Sequence, residues 1–222
     1  EGLRGGRHLA QGEEDRHERC GIDVDLLGKE KPENEKMREY IDVLQRQSAR
    51  LKKLIDDLLE ASKASTGNLT VNAEPCDVGV LLDQTLGEYG EKLSAAGLEP
   101  VLTKPEKPVI IMADGRHMWR IFDNLLNNIC KYSQRGTRVY LEVCERDGKA
   151  VVTFRNISSR QLNISSDELM ERFVRGDSSR NTEGSGLGLN IAQSLAQLQK
   201  GTMELTVDGD LFKVTLTFDV VK

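Results

Sequence analysis

Residues 182–192 read TEGSGLGLNIA, in which glycines 184, 186 and 188 stand directly before an apolar repeat that predicts a helix over about Leu187–Gln199. Alternating glycines let the backbone approach a phosphate closely, and the N–H groups at a helix start attract the anion. The segment is not a Walker A loop, because no Gly-Lys-Ser/Thr follows, and it is preceded by a polar stretch rather than a strand. Taken alone, it is either a phosphate-binding loop or a glycine-rich helix start without a ligand.

A second polar motif lies upstream, in a helix predicted to begin after Asp114 and to run through Tyr132. Residues 123–133 read DNLLNNICKYS. Asn124 and Asn128 are four positions apart and share one helix face. Amide oxygens can bind Mg²⁺, and the nearby Lys131 can contact a phosphate. The alternative is that these asparagines simply face solvent.

The pattern between residues 67 and 222 mixes short strands with helices. Asp77 is predicted to cap a helix that ends near Gly97, and the pairs Asp147-Gly148 and Asp208-Gly209 predict the turns of two hairpins. The predicted fold class is α+β, a two-layer α/β sandwich with a mixed, mostly antiparallel sheet and helices on one face. A long polar insertion spans residues 156–183. Strands are predicted at Leu69–Ala73, Pro100–Thr103, Val109–Met112, Thr137–Arg146, Ala150–Phe154, Thr202–Val207 and Leu211–Phe218.

Residues 34–66 predict one long helix of a different kind. Apolar or small residues recur alternately four and three positions apart, as in the seam of a coiled coil. One helix cannot bury such a seam by itself. We therefore expect a helical hairpin that dimerises into a bundle, with packing on the chain's own domain as the alternative. The seam positions are Met37, Ile41, Leu44, Ser48, Leu51, Ile55, Leu58 and Ser62.

Composition narrows the range of functions. The 222 residues carry a net charge of -5 with intermixed signs, which argues against nucleic acid as a partner. No run of residues is apolar enough for a membrane span. The four cysteines and three histidines lack the spacing of a zinc site. Residues 1–33 are polar and lack periodicity, which predicts disorder.

Together, the two polar motifs resemble those of the sensor histidine kinases, whose ATP-binding domain is related to the gyrase, Hsp90 and MutL-type ATPases. DNLLNNICKYS resembles the N box of that family. Residues 171–201, ERFVRGDSSRNTEGSGLGLNIAQSLAQLQKG, resemble its F box running into its second glycine box. The helix at residues 37–62 resembles the second helix of the dimerisation and phosphotransfer hairpin. The resemblance covers about residues 35–222 and implies three segments, namely residues 1–33, a dimerisation and phosphotransfer helix at 34–66 and an ATP-binding catalytic domain at 67–222.

The resemblance also implies ATP and Mg²⁺ as cofactors and assigns roles to individual residues. It makes Asn128 the Mg²⁺ ligand, places Asn124 near the phosphates, and puts Phe173 in a lid over the nucleotide. Lys131 would contact phosphate and Tyr132 the adenine, and the glycines would wrap the triphosphate. The implied ATP-binding residues are Asn124, Asn128, Lys131, Tyr132, Asn156, Phe173, Gly184, Gly186, Leu187 and Gly188.

Two motifs depart from the family pattern. The first glycine box supplies an aspartate to the adenine amino group, whereas residues 153–165 read TFRNISSRQLNIS, so Asn156 is the nearest substitute. Its amide oxygen can accept the same hydrogen bond. The phosphoacceptor motif, a histidine followed by an acidic residue and then a proline, is absent as well. His17 has the acidic neighbour but no proline, so His17 and His8 are only weak candidates.

Three functions remain open at this point. The first is a histidine kinase that passes phosphate to the receiver domain of a response regulator, dimerises through residues 34–66 and forms the cytoplasmic part of a membrane-anchored receptor. The second is an ATP-binding, dimerising module without autokinase activity, because the phosphoacceptor motif is missing. The third is an ATPase that would need a carboxylate to activate water, and Asp123 is the acidic residue next to Asn124.

Overall fold

A computed structural model describes residues 35–65, 69–162, 169 and 186–221. The chain divides into two units, residues 1–59 and 60–222. Some predictions concern residues outside the described ranges, namely those for His8, His17, Phe173 and Gly184. The prediction of disorder at residues 1–33 also falls outside these ranges. The three-segment division remains a prediction.

Helix α1 (Glu35–Ser65) is 31 residues long and includes the heptad seam. Several seam side chains remain about half exposed, including Met37, Leu44, Leu51 and Leu58. Ile41, Ser48 and Ile55 are partly covered. Exposed apolar side chains at heptad spacing leave a surface suited to a partner helix. None of the helices in the described ranges has both the length and the apolarity to cross a bilayer.

The second unit is built on a five-stranded mixed sheet with the strand order β2-β4-β5-β7-β6. Strands β2 and β4 are parallel, and the other neighbouring pairs are antiparallel. A separate two-stranded antiparallel sheet joins β1 to β3. The elements are β1 (Glu74–Asp77), α2 (Val78–Ala95), β2 (Glu99–Thr103), β3 (Ile110–Ala113), α3 (Gly115–Tyr132), β4 (Arg138–Arg146), β5 (Lys149–Ile157), α4 (Gly188–Leu198), β6 (Thr202–Asp208) and β7 (Leu211–Asp219). The predicted α+β fold class is confirmed.

Alternate residues of the sheet strands form the core against the helices. Leu141 pairs with Phe154, and Phe154 in turn pairs with Val214, so that their side chains share one face of the sheet. All three are almost completely buried. The ring of Phe154 packs against Phe122 of α3 with the ring centroids 5.6 Å apart. The apolar stripe of α3 therefore fixes which side of that helix faces the sheet, and hence where its polar residues lie.

The first hairpin forms as predicted, and the second is displaced by one residue. Asp147 and Gly148 have φ values of 52° and 73°, the double left-handed conformation of a type I′ turn. In the second hairpin Asp208 pairs with Leu211, so the turn residues are Gly209 and Asp210. Gly209, with φ of 57°, takes the first central position, where a left-handed backbone favours glycine.

The strand predicted at residues 69–73 is wrong, since the strand in this region begins at Glu74. The backbone N–H of Asn72 donates instead to the side chain of Asp114, at 3.0 Å. A backbone group that bonds a side chain in this way does not take part in a strand ladder. Pro75 is accepted in β1 because β1 has a neighbour on only one side.

Asp114 connects the start of α3 to two other segments. Its carboxylate accepts from the backbone N–H groups of Asn72 and Arg116 and from the Arg116 guanidinium. Its own N–H donates to Gln199 Oε1, at 2.7 Å, at the end of α4. Burial raises the pKa of the Asp114 carboxyl, but the hydrogen bonds from Arg116 and Asn72 outweigh burial and hold that pKa well below its usual range.

We expect Asp114→Ala to lower the free energy of unfolding by about 2–3 kcal/mol at pH 7, because it removes a helix cap and leaves the part-buried N–H groups of Asn72 and Arg116 without their acceptor. A carboxyl whose pKa is depressed by folding stabilises above its unfolded pKa of about 3.9. The deficit should therefore shrink as the pH falls below about 4. Urea unfolding at pH 7 and pH 3 measures both effects. Asp77→Ala, which removes the cap of α2, should cost about 1 kcal/mol; equal losses in the two variants would contradict this role for Asp114.

Candidate functional site

The start of α4 packs directly against the middle of α3, at the two predicted asparagines. A Cβ atom added at Gly188 would lie 3.2 Å from Asn124 Oδ1 and 3.8 Å from Asn128 Nδ2. A side chain at this position would require the Asn124 amide to shift by a few tenths of an ångström. The structure therefore brings the two polar motifs of the sequence together at one place.

The backbone at this helix start has the features of an anion site. Gly186 has φ of 72°, a left-handed conformation that favours glycine. Leu187, the N-cap residue, is buried and gives no side-chain hydrogen bond to the helix start. Backbone N–H groups at a helix start attract an anion such as a phosphate.

Asn124 is held in one orientation by its own helix. The side chain is buried, and its Nδ2 donates to the carbonyl of Arg120 at 2.9 Å. Its Oδ1 therefore faces Gly188. Asn128, one turn later, is half-buried beside the same glycine. Two amides on one face next to a glycine-rich helix start can contact phosphates and a Mg²⁺ ion bound to them.

We expect Gly188→Ala to weaken binding of Mg²⁺-ATP about tenfold or more, because the new methyl group would push the Asn124 amide out of place. Folding should change little, since alanine is a better helix former than glycine. Isothermal titration with ATP and thermal unfolding measure the two effects. Gly87→Ala in α2, where a Cβ meets nothing within 4 Å, is the matched control and should leave ATP binding unchanged. Unchanged binding in both variants would contradict this use of Gly188.

A second pair of polar side chains, Ser133 and Asn156, lies where the C-terminal end of α3 meets β5. Gln134 N–H donates to the carbonyl of Ile157 at 2.9 Å, and Ser159 N–H donates to that of Tyr132 at 2.8 Å. These bonds hold the end of the strand against the end of the helix. They bring Asn156 of β5 beside Ser133, with Asn156 Nδ2 donating to Ser133 Oγ at 2.8 Å.

Asn156 has an acceptor oxygen that the described part of the chain does not satisfy. The residue is 4% exposed, and its Oδ1 has no hydrogen-bond partner among the described residues. Leaving a buried acceptor unpaired costs about 1–3 kcal/mol. Such an atom in a folded protein calls for an explanation, and a ligand that donates a hydrogen bond is one.

The second half of α3 separates the asparagines beside Gly188 from the Asn156–Ser133 pair. Nine residues lead from Asn124 to Ser133, which corresponds to about 13 Å at the helical rise of about 1.5 Å per residue. That span is comparable with an extended nucleoside triphosphate. Exposed Lys131 lies between the two places, three positions after Asn128, and half-buried Tyr132 directly precedes Ser133. The described part of the candidate site thus extends along α3, with Phe173 and Gly184 outside the described ranges.

Asp123, the acidic residue next to Asn124, is engaged on a different side of α3. Its carboxylate accepts from the Tyr89 hydroxyl of α2 at 2.5 Å and from Arg120 Nη1 at 3.3 Å. Burial, together with the hydrogen bond to Asp123, raises the pKa of Tyr89 well above its usual range. A carboxylate bonded to α2 is not placed to activate water beside Gly188, which argues against the ATPase interpretation.

Two families match adjacent parts of the chain. Residues 113–222 match the family described as histidine kinase-, DNA gyrase B-, and HSP90-like ATPase. Residues 24–67 match the His Kinase A (phospho-acceptor) domain. The chain belongs to the sensor histidine kinases.

Individual sensor kinases are similar over most of this chain. The signal transduction histidine-protein kinase BaeS of Escherichia coli (strain K12) is 30% identical over 189 residues, covering 78% of this chain and 40% of BaeS. The sensor histidine kinase MtrB of Mycobacterium leprae (strain TN) is 29% identical over 185 residues, covering 81% of this chain and 33% of MtrB. The chain therefore spans two fifths or less of the length of these relatives.

Solved histidine kinase structures have the same fold. Full-length ShkA in complex with AMPPNP matches with a TM-score of 0.82 and 20% identity, covering 97% of this chain and 45% of ShkA. Acinetobacter baumannii AdeS matches with a TM-score of 0.68 and 20% identity, covering 99% of this chain and 98% of that chain. The recognition of the family from the two polar motifs is confirmed.

The structure adds one residue to the candidate site that the motifs did not single out. Ser133 ends α3 and binds the amide of Asn156 through its hydroxyl. Its place directly after Lys131-Tyr132 was the available signal, but the contact joins residues 23 positions apart. Within the described ranges, no group of three or more His, Cys, Asp or Glu side chains could hold a metal ion. Any Mg²⁺ here would therefore rely on amide and phosphate oxygens.

Proposed function

We propose that this chain binds Mg²⁺-ATP along α3 and α4 and transfers the γ-phosphate to a histidine, for relay to an aspartate of a response regulator. The observation that supports the binding step most directly is the approach of Gly188 to Asn124 and Asn128. The unsatisfied oxygen of Asn156 supports the position of the base, because adenine has an amino group that can donate to it.

The chain's own residues supply positioning and charge complementarity. The start of α4 would bind the phosphates through backbone N–H groups, and Lys131 would add a positive charge near them. Asn128 would hold a Mg²⁺ ion, which neutralises phosphate charge when bound. Phosphoryl transfer needs little more from a protein than this alignment and neutralisation.

The phosphoacceptor histidine is to be sought outside the residues that match the phosphoacceptor domain. The His Kinase A match spans residues 24–67, and it disfavours a module without kinase activity. No residue in that range is a histidine, however, and the histidines of the chain are His8, His17 and His117. His117 lies in α3, with Nε2 3.2 Å from the carbonyl of Thr70. His8, His17 and a histidine of another chain are the acceptors to be tested.

The assembly is also part of the proposal. The exposed seam of α1 would pair with a second copy, which would give a homodimer through residues 34–66. Residues 67–222 would form the ATP-binding catalytic domain. A receiver domain would be the phosphate partner, nucleic acid would not be, and the complete protein would be membrane-anchored with this part in the cytoplasm.

Incubation with γ-labelled ATP and Mg²⁺ tests the transfer step. A kinase should retain label that is lost in acid and stable in base, as expected for phosphohistidine. Loss of that label in His8→Ala or His17→Ala would identify the acceptor. If the chain itself is not labelled, addition of a relative whose acceptor histidine is intact but whose own ATP site has been inactivated tests transfer to another chain. Binding of ATP without labelling of either protein would contradict the kinase proposal and favour a nucleotide-binding module.

A further inference from the structure

The Asn156–Ser133 pair has a chemical property that a carboxylate in the same position would lack. An ionised carboxylate can only accept hydrogen bonds, whereas an amide accepts through its oxygen and donates through its nitrogen. In the structure Asn156 Nδ2 donates to Ser133 Oγ, and Oδ1 is left without a partner. The atom available to a ligand is therefore an acceptor in this arrangement.

The Ser133 hydroxyl also allows the Asn156 amide to be reversed without loss of the hydrogen bond between the two side chains. A hydroxyl both donates and accepts, so it can bond either end of the amide. If the Asn156 amide turns by half a revolution, Oδ1 accepts from the Ser133 hydroxyl and Nδ2 becomes the available atom. Both side chains are buried, at 4% and 8% exposure, so bulk water does not compete strongly for either group. The pair can thus present either an acceptor or a donor.

Purine bases differ at the corresponding position of the ring. Adenine has an amino group at carbon 6, which donates to an acceptor, while hypoxanthine and guanine have a carbonyl there, which accepts from a donor. A site with a fixed acceptor leaves a 6-oxo base facing an unpaired oxygen, and such mismatches are costly in a buried place. A site that can reverse its polarity satisfies both kinds of base.

We propose that Asn156 and Ser133 let this chain bind 6-oxo purine nucleoside triphosphates as well as ATP. This inference rests on the proposed function, because it takes Asn156 to be the residue at the base. Ser133 acts here as a positioning residue, since it holds the amide in either orientation without touching the nucleotide. Selectivity at the base then depends on one amide rather than on a fixed charge.

Isothermal titration of the full chain with Mg²⁺-ATP and Mg²⁺-ITP tests this inference. ITP is the probe because its base differs from adenine at carbon 6 and at the adjoining ring N–H, and lacks the extra amino group of guanine. We expect dissociation constants within about tenfold of each other for the wild-type chain. In Asn156→Asp, measured at pH 8 where a carboxyl is ionised, we expect ATP to be favoured by a further factor of about 10–100.

Wild-type chain that binds ATP but rejects ITP about 100-fold or more would overturn this inference and leave the proposed function intact. Failure to bind either nucleotide would overturn both. The wild-type comparison does not depend on the folding of any variant. In the amide NMR spectrum, ATP and ITP should also shift the Asn156 side-chain NH₂ signals differently, and identical shifts with equal affinity would contradict the turning amide.

Discussion

Asn128→Ala will weaken binding of Mg²⁺-ATP by at least about 100-fold and abolish transfer of the γ-phosphate. The amide of Asn128 lies beside Gly188 at the start of α4, where a Cβ on the glycine would be 3.8 Å from its nitrogen. The described residues offer no alternative cluster of acidic or histidine ligands. Loss of this amide therefore removes the one side chain proposed to hold the metal, and losses of that kind commonly cost 100-fold or more in phosphoryl or acyl transfer.

A neighbouring asparagine supplies the control for that experiment. Asn127 lies one position earlier on α3 and is also half-buried, but it is not among the atoms nearest to Gly188. Asn127→Ala should leave ATP affinity within about twofold of wild type, because a residue one position away points about 100° around the helix. Titration calorimetry and labelled-ATP transfer measure both variants. If both lose affinity equally, α3 has been damaged as a whole and the specific role of Asn128 is contradicted.

Gly201→Ala should have the largest effect on stability. A Cβ at Gly201 would overlap the ring of Phe218, a core residue of β7 that is 3% exposed. The backbone at Gly201 cannot easily shift away from Phe218, because the Gly201 N–H donates to the carbonyl of Ala196 at 2.8 Å. Lys200, the preceding residue, is in a left-handed conformation with φ of 62°. Overpacking a core of this kind costs about 1–3 kcal/mol and occasionally more. We expect a loss near 3 kcal/mol.

Thermal and urea unfolding measure this loss. A change of about 3 kcal/mol corresponds to a fall in Tm of roughly 10 °C for a domain of this size. Gly90→Ala is the control, because it lies in α2 with nothing within 4 Å of a new Cβ, and it should be neutral or stabilise by up to about 1 kcal/mol. A Gly201→Ala chain as stable as wild type would show that Phe218 can move, and would contradict the tight packing of the connection between α4 and β6 on β7.

Local patterns were sufficient to predict most of the secondary structure. Asp77 and Asp114 cap helices as expected, because a carboxylate before an apolar repeat is a local signal. The error at residues 69–73 has a long-range cause, since the amide of Asn72 bonds to a side chain 42 positions away. The parallel pairing of β2 with β4 is also non-local and has no short motif of its own.

The sequence was sufficient to predict which residues belong to the candidate site, but not how they are arranged in space. The motifs named Asn124, Asn128 and the glycines, yet only the fold shows that Gly188 lies beside both asparagines. The pairing of Asn156 with Ser133, and the unsatisfied oxygen that results, could not be read from spacing, because it depends on how the end of β5 meets the end of α3.

The most direct test of a nucleotide site along α3 and α4 is an NMR titration of the ¹⁵N-labelled chain with Mg²⁺ and the non-hydrolysable analogue AMPPNP. We predict that the largest shifts occur at the backbone of residues 186–188 and at the side-chain amides of Asn124, Asn128 and Asn156. The Asp147-Gly148 turn at the far end of the β4–β5 hairpin should not respond. No shifts at these positions, or shifts concentrated elsewhere in the chain, would contradict the site described above.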